Sequence, residues 1–207
     1  LNNGSISCWV DLRDNDGATS QTIVRIANDT SNENATLQFH RSNTEFRAVY
    51  KIGGVYKEAT YNDASLDLAG YMAQGWVHLA MTWESDGEGT GEVKIYFNGV
   101  HRETVAQNAT WDLDSNPIDM ITIGSTDAGA ASFTDGFIDQ VGIWNTPKPA
   151  AEVLAIYNSG NMRDLTTVHD RGPLHIPEGL IGYYQFEGNA LDSSSTKAHG
   201  TLVGTAG

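Results

Sequence analysis

The chain has 207 residues, a formal net charge of −14, a single cysteine and a hydrophobic content of 40%. This length favours one large β-sandwich over two very small domains, and the apolar fraction is enough for a real core. The negative charge argues against a nucleic-acid partner, which needs clustered Lys and Arg, and against binding to an anionic membrane surface.

Targeting and covalent features are sparse. Cys8 is the only cysteine, so an intrachain disulfide is excluded, and its place in an alternating strand predicts a buried small hydrophobe. No apolar run approaches the length of a membrane span, and no signal peptide opens the chain. The first four residues are typical of the middle of something longer, so we expect a part of a larger multidomain or assembled protein.

Short alternating segments follow one another along the chain. Alternation of period two is the mark of a strand with two different faces. It predicts strands over 5–12, 22–27, 36–40, 46–51, 55–60, 76–83, 93–97, 100–105, 120–123 and 137–144. The dipeptides Gly53-Gly54 and Asn98-Gly99 are hairpin turns. Short strands with turn signals at this spacing predict a sandwich.

The stretch 76–105 is the most informative, because it forms three predicted strands joined by two turns. Its alternation places one set of side chains between two sheets, and further strands add to that set. The predicted core residues are Val77, Leu79, Met81, Ile95, Phe97, Ile138 and Phe186. Trp9, Trp76, Trp83 and Trp144 also lie in strands and are predicted to be core, and His78 is predicted to be structural.

Helical signals are few. Residues 149–157 have apolar positions at helical spacing, and Gly160 is a candidate C-cap. Pro149 stands where a side-chain cap would be expected, so the helix should begin without one. Residues 63–75 have room for one short helical turn, and 161–177 are predicted to be a connector.

Four stretches together resemble the laminin-G-like jelly-roll domains of the concanavalin A-like lectin/glucanase superfamily. They are the SISCWV strand from Ser5, the stretch 76–105, the segment from Ile123-Gly124 to the FIDQVGIW strand ending at Trp144, and GLIGYYQFEGNALDSS from Gly179. The resemblance implies an all-β, two-sheet antiparallel jelly-roll sandwich with one short helix towards its C-terminal side. It implies function only loosely, since one sandwich hosts many functions.

The order of these parts differs from the family, in which the GLIGYYQF-like strand opens the domain. Here it closes the chain, so residues 178–207 either begin a further repeat or complete the same sandwich in a circularly permuted order. We favour the second, because a lone apolar strand would be an aggregation-prone edge. The expected division is 1–160 as the sandwich, 161–177 as connector and 178–207 as its completing segment.

A catalytic motif has one candidate. The spacing Glu84-Ser85-Asp86-Gly87-Glu88 matches three carboxylates that glycosidases sharing this jelly roll align on one strand face. Here the intervening residues are not apolar and glycines follow, so a solvated loop is predicted and catalysis is not. No metal-binding histidine spacing and no nucleophile elbow are present.

Calcium is the cofactor that the resemblance implies. Domains of this kind often hold one ion near the sandwich edge, and the resemblance nominates Asp139 and Asp192. Asp14 and Asp16 form a second acidic turn, since calcium takes several loop oxygens as ligands. The alternative for each is a capped turn or solvated loop.

Glycan binding needs exposed aromatic residues beside hydrogen-bonding loops, and Trp111 and Tyr56 are the candidates. The sequence therefore predicts a non-catalytic binding or adhesion module that recognises a glycan or a protein partner. Its expected place is extracellular, on a cell surface or on a virion surface. The alternatives are a structural virion-decoration, spike or surface-assembly domain and, more weakly, a glycoside hydrolase.

Overall fold

Two antiparallel sheets packed face to face make up the protein. The computed structural model describes residues 2–13, 20–28, 30, 33–40, 43–85, 91–107, 109, 117–126, 132–167 and 176–203. One sheet has six strands and the other five, and the two helices in this part of the chain are short. The predicted all-β jelly-roll sandwich is therefore confirmed.

The strands are β1 Gly4–Leu12, β2 Ser20–Asn28, β3 Glu33–His40, β4 Glu45–Ile52, β5 Val55–Tyr61, β6 Val77–Glu84, β7 Glu92–Phe97, β8 Val100–Ala106, β9 Met120–Ile123, β10 Gly136–Trp144 and β11 Leu180–Tyr184; the helices are α1 Leu68–Ala73 and α2 Ala150–Tyr157. The six-stranded sheet has the order β11-β10-β1-β6-β7-β8, and the five-stranded sheet has β5-β4-β3-β2-β9. β7 and β8 are joined by Asn98-Gly99, both at positive φ, as a tight hairpin turn requires.

The main core lies between the sheets and follows the predicted alternation. Leu79, Met81 and Trp83 of β6 point into it together with Ile95 and Phe97 of β7. Val77 is buried as well, and so is Cys8. Of the other predicted core residues, Ile138 and Phe186 are partly buried and pack against this cluster.

The outer face of the six-stranded sheet carries further apolar packing. Val153 of α2 contacts Ala80 and Tyr96 in one small cluster. A second cluster consists of Trp144, Ile156, Leu165, Ile176, Leu180 and Tyr183. Helix α2 begins after Pro149 with no side-chain cap, as predicted, but it ends in a left-handed Asn158 and a single 3-10 turn rather than directly at Gly160.

The segment near the C-terminus adds a strand to the six-stranded sheet. β11 pairs antiparallel with β10, with Tyr184 opposite Val141 and Tyr183 opposite Gly142. This strand lies at the edge of the sheet, so the expected completing strand is not an internal one. The division of the chain at 160 and 178 stays a prediction.

Candidate functional site

Tyr56 lies on the outer face of the five-stranded sheet, on its edge strand β5. Alternation along β5 turns Ala59 into the core and leaves Tyr56 and Glu58 outside. The Tyr56 side chain is 51% exposed, and its hydroxyl donates a hydrogen bond to Glu58. Burial of part of the phenol and the bond to Glu58 raise the pKa of Tyr56 to about 12. The ring is thus exposed but held in place.

A charged network lies beside this ring. Arg47 of β4 donates from Nε to Glu45 over 2.8 Å and from Nη1 to Glu58 over 3.1 Å. The side chains of Glu45, Arg47 and Glu58 are mostly buried, and that of Arg47 is 13% exposed. The network is therefore ordered rather than solvated. We call Glu45, Arg47, Tyr56 and Glu58 the Tyr56 surface.

The same sheet face extends towards β9. Arg25, Thr36, Val49 and Glu58 are opposite one another across four strands, so their side chains share this face. Arg25 is buried and donates to the carbonyl of Thr126 over 3.0 Å. An exposed ring next to fixed carboxylates and a guanidinium can stack on the apolar face of a sugar and hydrogen-bond its hydroxyls.

Hydrogen-bond donors surround the Asp192 carboxylate. The backbone N–H groups of Tyr183, Ser194 and Ala198 donate to its carboxylate over 2.8 to 2.9 Å. The hydroxyls of Ser194 and Thr196 are also within 3.0 Å of it. Although burial alone would raise it, these hydrogen bonds hold the pKa of Asp192 below its usual value. These hydrogen bonds hold the Asp192 carboxylate in a capped turn, and its use as a calcium ligand stays a prediction.

Asp139 lies on the other side of β11 from Asp192. It sits in β10, whereas Asp192 forms a bridge with Tyr184 on the far edge of β11. Two strand spacings, about 10 Å, separate their backbones. Burial raises the pKa of Asp139, and its Oδ1 accepts from the N–H of Gln140 over 2.7 Å.

Gln140 stands where the family usually has Glu, and it has a structural role. It has a φ of 50° at a bulge in the β1–β10 pairing, and its side-chain oxygen accepts from the Tyr183 hydroxyl. Among the described residues no group of three or more His, Cys, Asp or Glu could hold a metal ion. Two calcium candidates, Asp14 and Asp16, and the glycan candidate Trp111 lie outside those residues, so these predictions stay open.

Only the first two residues of the carboxylate motif, Glu84 and Ser85, are described; 86–88 lie outside. Glu84 closes β6 and stands opposite Glu92 of β7. β6 ends at Glu84, so Glu84 is the last residue of the motif on this strand.

One exposed aromatic pair was not predicted. Trp76, predicted to be core because the strand 76–83 includes it, in fact precedes β6 and is 39% exposed. Phe137 of β10 is 55% exposed. Their ring centroids are 6.5 Å apart, and the Arg13 guanidinium lies 5.3 Å from the Phe137 ring centroid. The other strand tryptophans, Trp9, Trp83 and Trp144, are buried as predicted. The sequence feature that marks the exposure of Trp76 is its position directly after Gly75, one residue before β6 begins.

Sequence comparison identifies the family. A laminin G family model, described as concanavalin A-like lectin/glucanases superfamily, matches residues 1–154. A comparison with curated protein sequences gives no match. No helix in the described part of the chain is long and apolar enough to cross a membrane.

Several solved structures share the fold. The CBM40 of Ruminococcus gnavus IT-sialidase, bound to α2,3-sialyllactose, has a TM-score of 0.56 at 14% identity over 76% of this chain and 83% of its own. A protein from Bacteroides ovatus, described as a proposed carbohydrate-binding protein, has a TM-score of 0.58 at 15% identity over 95% of this chain and 50% of its own. The SAP-like pentraxin of Limulus polyphemus has 0.53 at 12% identity over 76% and 70%. At these identities the likeness establishes the fold.

Proposed function

The chain belongs to the concanavalin A-like lectin/glucanase superfamily, and from this premise we propose that it is a non-catalytic glycan-binding module. The observation that carries the proposal is the Tyr56 surface, where an exposed ring is held by Glu58 beside an ion-paired arginine. Sugar-binding sites combine an aromatic platform with a few fixed polar groups. Similar folds include a module bound to sialyllactose, which is consistent with this use of the sandwich.

The preorganisation of the surface favours binding. Arg47 is already held by two carboxylates, so a ligand need not order a long flexible side chain on binding. The donors and acceptors are arranged on a sheet rather than in a loop, which keeps their spacing constant. We place the module outside the cell or on a cell or virion surface, as part of a larger protein.

A glycan array with the intact chain tests the proposal. Tyr56→Ala should weaken binding at least about tenfold, because the stacking platform is lost. Tyr56→Phe keeps the ring and should lose less. Phe133→Ala is the matched control, since it removes an exposed ring away from this surface and should leave binding unchanged. An array without any bound glycan, or binding that survives Tyr56→Ala, contradicts the proposed site.

The second candidate is a surface-assembly domain with protein subunits as partners. The observation that favours it is the exposed group of Trp76, Phe137 and Arg13, because Trp and Arg are the residue types that dominate protein interfaces. Sedimentation of the chain over a wide concentration range tests it. Self-association that Trp76→Ala abolishes supports assembly, whereas a monomer at all concentrations argues against assembly with its own copies.

A further inference from the structure

A cavity of about 510 Å³ lies on the outer face of the six-stranded sheet. Its floor comes from β6, β7 and β8, and its wall from the segment 147–150 at the start of α2. The lining residues that matter are Thr82, Glu84, Glu92, Lys94, Tyr96 and His101. We call it the β7 cavity. It is on the opposite side of the sandwich from the Tyr56 surface.

Strand alternation explains why polar groups face the cavity. Val93, Ile95 and Phe97 of β7 turn into the core, so Glu92, Lys94 and Tyr96 turn outward. Tyr96 is paired with His101 across the sheet, with ring centroids 5.4 Å apart. The Tyr96 ring is buried, and the His101 ring is exposed beside it.

Charged side chains line the cavity floor. Glu84 and Glu92 are directly opposite across β6 and β7, and like charges in such cross-strand positions destabilise a sheet. Lys94 offsets this repulsion through an ion pair with Glu92. Although burial alone would lower it, the pKa of Lys94 is raised by Glu92 and then by further neighbours that include Glu84. The floor therefore presents both carboxylate acceptors and an ammonium donor to the cavity.

The cavity wall is fixed to the rest of the fold. Lys148 is 4% exposed, and its Nζ lies 3.0 Å from the Glu152 carboxylate and donates to the carbonyl of Glu178 over 2.8 Å. The backbone N–H of Lys148 donates to Ser5 Oγ over 2.7 Å. The shape of the cavity therefore exists before any ligand arrives, which lowers the entropic cost of binding.

We propose that the β7 cavity is a second binding site, with a neutral polyhydroxylated ligand, a mono- or disaccharide, as its occupant. Glu84 and Glu92 offer acceptors, Lys94 offers donors, and the His101 ring, packed against the buried Tyr96, offers a surface for C–H groups. Lys148 is already paired with Glu152, so the charges of Glu84 and Glu92 exceed the single charge of Lys94, which disfavours a phosphate. Its volume is in the range of small-molecule sites.

This site shares a ligand class with the proposed function but depends on different residues. NMR spectra of the full, isotopically labelled chain distinguish the β7 cavity from the Tyr56 surface, because the amide chemical shifts show which residues respond to a sugar. The probes are glucose, galactose, mannose, N-acetylglucosamine, lactose and maltose, with inorganic phosphate for comparison. We expect a neutral sugar to shift the Lys94 and His101 amides. Glu84→Gln and His101→Ala should each weaken that response about tenfold, since hydrogen bonds to charged groups and ring contacts are lost.

Two control variants complete the experiment. Glu187→Gln removes an exposed carboxylate outside the cavity, and Tyr56→Ala alters the other face; both should leave the cavity response unchanged. If sugars shift only amides around Tyr56, the cavity site is refuted and the proposed function stands. If they shift only cavity amides, the cavity site is supported and the Tyr56 surface is refuted. Absence of any shift at Lys94 and His101, or stronger shifts there with phosphate, overturns the inference.

Discussion

The backbone N–H of Tyr183 donates a 2.9 Å hydrogen bond to Asp192 Oδ1, which ties the residues after β11 to β11 itself. Asp192→Asn should therefore destabilise the fold by about 1–3 kcal/mol, because the amide nitrogen of Asn would face donors rather than accept from them. Chemical denaturation measures the loss. Glu187→Gln is the control: it changes an exposed side chain and should alter the free energy of unfolding by less than about 0.5 kcal/mol.

The same carboxylate gives a pH dependence with a definite sign. Hydrogen bonds hold the pKa of Asp192 below its usual value despite its burial. Its stabilisation is therefore complete above the usual Asp pKa and is lost as the pH falls through the lowered one. In Asp192→Asn this part of the acid sensitivity should be missing. A variant whose stability falls with acid as steeply as the parent's would contradict the assignment.

His78 should make the protein sensitive to mild acid. Its imidazole is fully buried between Trp9 and Tyr157, and neither ring nitrogen has a hydrogen-bond partner. Burial lowers the pKa of His78 to about 3. Between the usual histidine value and about 3, the unfolded chain takes up a proton that the folded chain refuses, which costs about 1.4 kcal/mol per pH unit.

His78→Leu isolates this effect. The apolar side chain of similar size removes two unpartnered polar atoms, so stability at neutral pH should be nearly unchanged or higher. Below about pH 6 the variant should become progressively more stable than the parent in urea titrations. A constant difference between the two proteins from neutral pH down to about pH 4 would show that His78 takes up its proton without unfolding.

Leu79 tests the assignment of the core face. It is fully buried between the sheets, and Leu79→Ala should cost about 2–5 kcal/mol because a cavity remains. Val100→Ala is the matched control, since Val100 is half exposed at the start of β8 and should cost less than about 0.5 kcal/mol. Equal losses at both positions would mean that the inward face of β6 is wrongly assigned.

Calcium remains a prediction for Asp139, for Asp192 and for the turn of Asp14 and Asp16. Binding to the folded state alone must raise the melting temperature as calcium is added. The gain should disappear in Asp139→Asn, in Asp192→Asn or in the double variant of Asp14 and Asp16. Asp192→Asn should also lower the melting temperature with chelator, because its carboxylate accepts hydrogen bonds within the fold. An identical melting curve in both conditions removes the calcium site.

Local sequence patterns predicted the sheet elements well because alternation and turn chemistry act between near neighbours. The inward position of Leu79 and Ile95 follows from alternation of period two alone. The hairpin turn at Asn98-Gly99 follows from the backbone preference of those two residues. Contacts between distant residues were out of reach of that reasoning. Nothing near Asp192 in sequence shows that its oxygen would accept from the N–H of Tyr183.

The candidate binding site shows the same division. The sequence shows that Tyr56 lies at the start of a short strand after the Gly53-Gly54 turn, whereas the edge position of that strand appears only in the sheet order. The neighbours of Tyr56 cannot be predicted from the sequence in this way, because Arg47 comes from the preceding strand and its contacts depend on the register between the strands. The β7 cavity was missed altogether, since its wall is built by 147–150, more than forty residues after its floor.

The last prediction concerns the residues from 178 onward. In the six-stranded sheet β11 covers one edge of β10, and Leu180 and Tyr183 pack with Trp144 in the outer cluster. Tyr184 also belongs to the main core. Deleting 178–207 should therefore expose Trp144 and the edge of β10, and the protein should unfold or aggregate. The control ends the chain at Gly200, which keeps every hydrogen bond of Asp192 and should melt cooperatively near the parent temperature. If the chain without 178–207 instead stays soluble and melts unchanged, those residues begin a separate repeat, the permuted arrangement is refuted, and the domain ends near Gly160.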